Sequence, residues 1–109
     1  MRYHYSYGIR IIDEDNDRLI YFQTDERFGE DRDYFEKYRK EVVESEENRS
    51  KQEVIYIPAI RKRVKVHDVN LAVDNVSCIL RYKTDDVIKI NGKQSNHSLI
   101  IEEHYYAKE

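Results

Sequence analysis

The sequence predicts an α+β fold, a single domain spanning residues 1–109 in which one helix packs on a largely antiparallel β-sheet of five to seven strands. Most segments alternate apolar or aromatic residues with polar ones, which is the period of a strand. One charged segment before the middle of the chain has the spacing of a helix instead. Because turn-forming residues separate the segments, the predicted order is β-β-α-β-β-β-β.

Composition and charge narrow the class of protein. The chain has 109 residues, 38% of them charged, and a formal net charge of only −3, which is typical of a mixed-charge surface rather than a polyanion. Residues 13–53 carry fifteen acids against eight bases, a net of −7, and both flanks are basic. No apolar run approaches a membrane span, and no signal-peptide pattern follows Met1. We therefore expect a cytoplasmic protein with no membrane partner.

The first strand carries an aromatic stripe. Its odd positions are large and apolar, namely Tyr3, Tyr5, Tyr7, Ile9 and Ile11. Such a stripe can be a core wall, a partner or dimer interface, or a platform on which bases stack. No RNP1 pattern is present, so core or interface is favoured over stacking. Together with Tyr105 and Tyr106 near the end of the chain, Tyr3, Tyr5 and Tyr7 form the candidate interface.

A polar turn at 13–17 and a strand at 18–23 complete a hairpin, and a helix is predicted from Glu30 to about Glu47. Asp31 is the expected N-cap, and the acidic last turn predicts fraying over 48–50. The turn imitates a calcium loop, but its sixth and twelfth positions are Arg18 and Thr24, so the motif fails.

The rest of the chain predicts strands, with Asn91-Gly92 as a type I′ hairpin turn. Pro58 confines the strand before it to an edge or a strand end. Cys78 is the only cysteine of the sequence, so an internal disulfide is excluded. Its apolar neighbours predict a buried strand in which the thiol is an inert part of the core. The predicted strands are Glu53–Ile57, Arg61–His67, Val76–Tyr82, Asp86–Ile90 and Ser98–Tyr106.

One strand carries the candidate ligand site. Cationic or potentially cationic side chains alternate there and should share a face, namely Arg61, Arg63, Lys65 and His67. Such a row could bind phosphates, whereas the competing interpretation is a solvated face of an antiparallel sheet.

No catalytic residue, metal ligand set or cofactor site is predicted. The chain lacks a nucleophile elbow, a P-loop and G-x-G-x-x-G, and its histidines lack zinc-protease spacing. An enzyme would have to assemble Glu102, His104 and tyrosines from distant strands, so we expect a protein that is not an enzyme.

The leading hypothesis is a small non-enzymatic binding or accessory protein that acts through protein–protein contacts. The Lys/Asn/Ile/Tyr-rich composition suits an AT-rich genome, so an inhibitor of a host or defence protein, encoded by a phage or mobile element, is the first version to test. Exposed edges beside Pro58 or at the C-terminal strand favour a homodimer by strand addition. The alternative is binding of a nucleotide or single-stranded RNA by Arg61, Arg63 and Lys65, with a tyrosine stacking on the base.

Overall fold

One helix, α1, lies on one face of a five-stranded antiparallel sheet in the computed structural model, which describes residues 2–95 and 98–109. The predicted α+β class is thereby confirmed. Two short hairpins pack on the same face of the sheet as the helix. In chain order the elements are β1 (Tyr3–Asp13), β2 (Arg18–Gly29), α1 (Arg32–Ser50), β3 (Val54–Ile57), β4 (Lys62–Lys65), β5 (His67–Val73), β6 (Ser77–Thr84), β7 (Ile88–Ile90), β8 (Lys93–Ser95) and β9 (Leu99–Lys108).

The large sheet has the order β2-β1-β9-β6-β5, while β3-β4 and β7-β8 are separate two-stranded sheets. The expectation that the C-terminal strand offers a free edge is wrong. Strand β9 lies at the centre of the sheet, where it pairs with β1 on one side and β6 on the other. The edges of the large sheet are β2 and β5.

The alternation of β1 separates the two faces of the sheet as predicted. Tyr3, Tyr5, Ile9 and Ile11 are buried, and Tyr7 is half-buried. The even positions of β1 share the opposite side with the residues paired to them, because directly opposed residues of antiparallel strands point to the same side. We call this side the open face, since α1 and both hairpins lie on the other one. Its central residues are Gly8, Arg10, Phe22, Arg81, Glu102 and His104.

The core has two parts along the sheet. Near the start of α1 it is aromatic, with Phe35 stacked on Tyr3 at a centroid distance of 4.6 Å. Under the two hairpins it is mainly aliphatic. That second part buries Ile9, Ile11, Ile55, Ile57, Val64, Leu80, Tyr82, Ile88, Ile90, Leu99 and Ile101.

The helix begins where the sequence predicts and ends later than expected. The Asp31 carboxylate accepts hydrogen bonds from the backbone N–H groups of Asp33 (2.9 Å) and Tyr34 (3.1 Å), which confirms the N-cap. The expected fraying after residue 47 is wrong, because α1 continues to Ser50. Glu46 is buried and pairs with Arg49, so tertiary contacts hold the last turn.

Two turns follow their sequence signals. Asn91 and Gly92 have φ of 51° and 78°, the left-handed values that a type I′ turn requires. The Asp13 carboxylate accepts from the N–H groups of Asp15 and Asn16, as in a polar turn. In the part of the chain that the structure describes, no helix combines the length and apolar character needed to cross a bilayer.

Candidate functional site

The predicted basic row is not a single strand. Arg61 lies in the β3-β4 turn with a φ of 54°, and only Arg63 and Lys65 share the exposed face of β4. His67 begins β5 in the large sheet, where its ring nitrogens lie 3.3 Å from Asp68 and 3.1 Å from Asp85. The row is broken because the chain leaves the hairpin and enters another sheet between residues 65 and 67.

The hairpin brings a different tyrosine to the basic residues. Tyr56 is 45% exposed and is paired in register with Arg63, whose guanidinium carbon lies 5.7 Å from the ring centroid. This face of the hairpin points away from the core, since Ile55 and Val64 are buried beneath it. Of the row expected from the sequence, only Arg63 and Lys65 remain side by side.

The candidate interface tyrosines are divided between the two sides of the sheet. Tyr3 and Tyr5 are 4% and 5% exposed and belong to the aromatic core. The rings of Tyr7 and Tyr105 pack at 4.9 Å on the same side, whereas Tyr106 is half-buried on the open face. Within the monomer, Tyr3 and Tyr5 therefore do not present a surface to a partner.

Beneath the helix lies a buried polar network centred on Glu103. Its carboxylate accepts hydrogen bonds from Tyr7 (3.0 Å), Tyr82 (2.9 Å) and Arg49 (2.7 Å). Arg49 also donates to both oxygens of Glu46, at 3.0 and 3.1 Å. Glu46 and Glu103 are 1% and 0% exposed, so one arginine lies between two buried carboxylates. The network joins the end of α1 to three strands of the sheet.

The pKa shifts in this network follow from burial. Burial raises the pKa of the Glu46 carboxyl, and Arg49 partly opposes the shift. Burial and the adjacent Glu103 carboxylate likewise raise the pKa of the Tyr82 hydroxyl, which stays protonated and donates. The Cys78 thiol is 3% exposed, and burial raises its pKa to about 11, as expected of an unreactive core thiol.

A cleft of about 380 Å³ opens between the first half of α1 and β2. We call it the tyrosine cleft; its walls include Tyr5, Tyr7, Asp25, Arg27, Tyr34 and Tyr38. It exists because α1 packs over β9, β6 and β5 and leaves part of β2 uncovered.

The rings of the tyrosine cleft are packed against one another. Tyr5 meets Tyr38 edge-on at 4.9 Å and Tyr34 edge-on at 5.7 Å. Tyr34 is 52% exposed, so its ring is available at the mouth of the cleft. The Tyr5 hydroxyl is buried and has no hydrogen-bond partner among the residues that the structure describes. An unmet polar atom beside an aromatic wall is unusual in a native core.

Of the residues of the hypothetical enzyme, Glu102 and His104 line one trough on the open face, and Tyr106 shares that face. Tyr7, Tyr82 and Tyr105 lie on the core side. Within the described ranges, 2–95 and 98–109, no cluster of three or more His, Cys, Asp or Glu side chains is arranged to hold a metal ion.

Tyr34 and Arg27 are not among the site residues predicted from the sequence. Tyr34 and Tyr38 are four residues apart on a helix and therefore neighbours, and this spacing was the available signal. No sequence signal points to Arg27, because its position beside the helix depends on the order of the strands in the sheet. The chain matches no protein-family model, and no curated protein or solved structure shows significant similarity to it.

Proposed function

We propose that this protein is a non-enzymatic binding protein that captures an extended segment of a protein partner along β2. Strand β2 is 12 residues long and, among the residues described, pairs with β1 alone, so the backbone groups on its other side are available for a further strand. Addition of a strand to a sheet edge supplies main-chain hydrogen bonds, while pockets beside the edge supply specificity.

The observation that carries this proposal is that the tyrosine cleft lies directly beside the free edge. Asp25 and Arg27 of β2 form one wall of the cleft, and Tyr34 and Tyr38 of α1 form the facing wall. Side chains of an added strand alternate between the two sides of the sheet. The side chains of the partner that lie beside residues 25–29 and point to the core side would therefore enter the cleft.

The chemistry of the cleft favours an aromatic side chain. The Tyr34 and Tyr38 rings offer faces and edges for stacking, and Arg27 provides a planar cation that stacks on aromatic rings. Asp25 and Arg27 carry opposite charges at the cleft, so neither a cationic nor an anionic side chain is clearly preferred.

The proposal places the protein in the cytoplasm, where the free Cys78 thiol stays reduced. An inhibitor of a host or defence protein, encoded by a phage or mobile element, is its first specific version. A second copy of the chain is the other occupant that the β2 edge accepts. Light scattering after size-exclusion chromatography tests this second occupant. If the protein is a dimer and Tyr34→Ala dissociates it, the partner is a second copy of the chain.

Panning of a phage-displayed library of random peptides as long as β2 (12 residues) tests the proposal directly. The selected peptides should be rich in aromatic residues. Tyr34→Ala should lower their affinity for the protein about tenfold or more, as expected when a central aromatic contact is lost. Tyr56→Ala is the matched control, since this equally exposed tyrosine lies on the hairpin. The proposal fails if no clone binds above background, or if Tyr34→Ala leaves the selected clones unaffected.

The hairpin gives little support to the alternative of nucleotide or RNA binding by Arg61, Arg63 and Lys65. The turn position of Arg61 and the separation of His67 leave too short a basic row on the hairpin.

A further inference from the structure

We infer that the open face of the large sheet is a binding surface for single-stranded nucleic acid, independent of the tyrosine cleft. Exposed aromatic groups, arginines and a small-residue trough meet there, on the side of the sheet opposite α1. Sheet surfaces of this kind bind unpaired strands by stacking bases on side-chain rings and holding phosphates with cations.

The first observation is an unshielded aromatic ring. Phe22 is 60% exposed at the centre of an edge strand, and it has no ring partner among the residues described. Phe28 differs, because its ring stacks on His4 at 4.7 Å and lies under the Arg2 guanidinium. On a sheet with one solvated side, the residues of that side are usually polar. Phe22 is therefore the stacking group that the surface offers.

The second observation is the sign of the charge. The open face holds Arg10, Arg81 and Lys108 against Glu26 and Glu102, while Lys83 is paired with Glu14 at 2.9 Å, although the whole chain carries a net charge of −3. Arg10 and Arg81 are both exposed and flank Glu102 in one row across the sheet. They lie two strand spacings apart, about 10 Å. Cations on a face of an otherwise acidic protein match a phosphate backbone.

The third observation is Gly8, which lies at the bottom of a trough of about 170 Å³ between Phe22 and His104. The fold does not demand a glycine there. A Cβ at Gly8 would meet the nearest atoms, the Gln23 carbonyl oxygen and Thr24 Oγ1, at 3.6 and 3.7 Å, which is ordinary contact. Glycine weakens a strand interior and marks places where a ligand approaches closely. The trough is too small for drug-sized ligands (about 300–1,000 Å³) and suits a single base.

These groups divide the recognition of a nucleotide between them. The base lies over Gly8 against the Phe22 ring, and His104 and Glu102 at the side of the trough hydrogen-bond to its edge. Arg10 and Arg81 in the adjacent row hold phosphates. The shared chemistry is a stacked base with a neighbouring phosphate, which both RNA and DNA provide.

Fluorescence anisotropy of labelled single strands of about 12 nucleotides, one RNA and one DNA, tests this inference. At about 50 mM salt we expect binding that weakens steeply as salt is added, because counterions are released. Phe22→Ala should weaken binding about tenfold. Arg81→Glu should weaken it further. Gly8→Ala should weaken binding while the melting temperature stays level or rises, a combination that a purely structural role would not produce.

Arg63→Glu is the matched control, since it makes the same charge change on the hairpin, on the other side of the sheet. It should leave affinity nearly unchanged, as should Tyr34→Ala in the tyrosine cleft. Equal affinity for RNA and DNA, or tighter binding of RNA through its 2′-hydroxyls, supports the inference. No anisotropy change at about 100 µM protein overturns it. So does a loss with Arg63→Glu as large as that with Arg81→Glu, or equal binding of a duplex.

Discussion

The two sides of β1 divide this molecule into a part that holds the fold and a part that is available for binding. The odd positions enter a core that contains the buried rings of Tyr3, Tyr5 and Tyr82 and a buried ion-pair network, whereas the even positions form the open face around Gly8. Both sides are rich in polar atoms. The difference is that Glu103, Tyr82 and Arg49 of the core are bonded to one another, while Arg10 and Arg81 of the open face form no ion pair among the residues that the structure describes.

In this chain, residue type alone does not show whether a side chain stabilises the fold or is available for binding. Tyr82 and Tyr34 are both tyrosines, yet one is fully buried with its hydroxyl on Glu103 and the other is 52% exposed at a cleft. Arg49 and Arg81 differ in the same way, since only the first has carboxylate partners within the described chain. The distinction depends on burial and on partners, and both are set by the fold.

Arg49→Met gives the largest expected effect on the core side. It leaves Glu46 and Glu103 buried without their cation, and we expect the free energy of unfolding at pH 7 to fall by about 3–5 kcal/mol in urea titrations. Arg39→Met on the same helix is the matched control. Within the described ranges, the Arg39 side chain donates one hydrogen bond, to the Asp74 carbonyl at 3.2 Å, so that variant should lose about 1 kcal/mol or less. If both variants lost the same free energy of unfolding, the buried network would not be the cause of the loss in Arg49→Met.

The pH dependence of the Arg49→Met variant identifies the mechanism. Buried carboxyls without a cation have folded-state pKa values above their unfolded ones, so their protonated forms favour the folded state. This stabilisation is present at low pH and is lost as pH rises through the folded pKa. The variant should therefore regain stability when pH falls from about 7 to about 5. In the wild type the raised pKa of Glu46 contributes an effect of the same sign.

Two tyrosine-to-phenylalanine variants give an intermediate effect and separate bonded from unbonded hydroxyls. Tyr82→Phe removes a 2.9 Å hydrogen bond to the Glu103 carboxylate and should cost about 1.5–3 kcal/mol of unfolding free energy. Tyr5→Phe removes a buried hydroxyl that has no partner in the described chain, so it should leave the free energy of unfolding level or raise it by up to about 1 kcal/mol. Denaturant titration of both variants measures the difference. A large loss in Tyr5→Phe alone would contradict the assignment.

The smallest effect compares two isoleucines on opposite sides of β1. Ile9 is 0% exposed, so Ile9→Val should cost about 0.5–1.5 kcal/mol through the lost methyl group and the space it leaves. Ile12 is only half-buried on the open side, and Ile12→Val should cost less than about 0.5 kcal/mol. Thermal unfolding of the two variants in parallel shows the ranking. A reversed order would mean that the open side is covered in solution.

Local signals in the sequence predicted the local structure well. The cap at Asp31, the Asn91-Gly92 turn and the alternation of β1 each depend on neighbouring residues and backbone preferences, and each is confirmed. The predictions that failed needed distant partners. The end of α1 depends on Arg49 reaching Glu103, 54 residues away, and the expected basic strand is broken where the chain enters another sheet at His67.

The candidate sites show the same division. The sequence indicated a tyrosine stripe and a basic strand, but the cleft forms from Tyr34 on the helix and Arg27 on an edge strand. The open face likewise combines Phe22, Arg10 and Arg81 from three strands. No spacing within one segment could have joined these residues, because the order β2-β1-β9-β6-β5 alone makes them neighbours.

The amino-acid sequence by itself determined the α+β class, one helix and which side of β1 faces inward, since these depend on periodicity and on turn and cap chemistry that act over a few residues. Only the tertiary structure decided the central place of β9, the free edge at β2 and the pairing of Arg49 with two buried carboxylates. The physical reason is that burial, and with it the partner of each charge and hydroxyl, depends on which distant strands become neighbours.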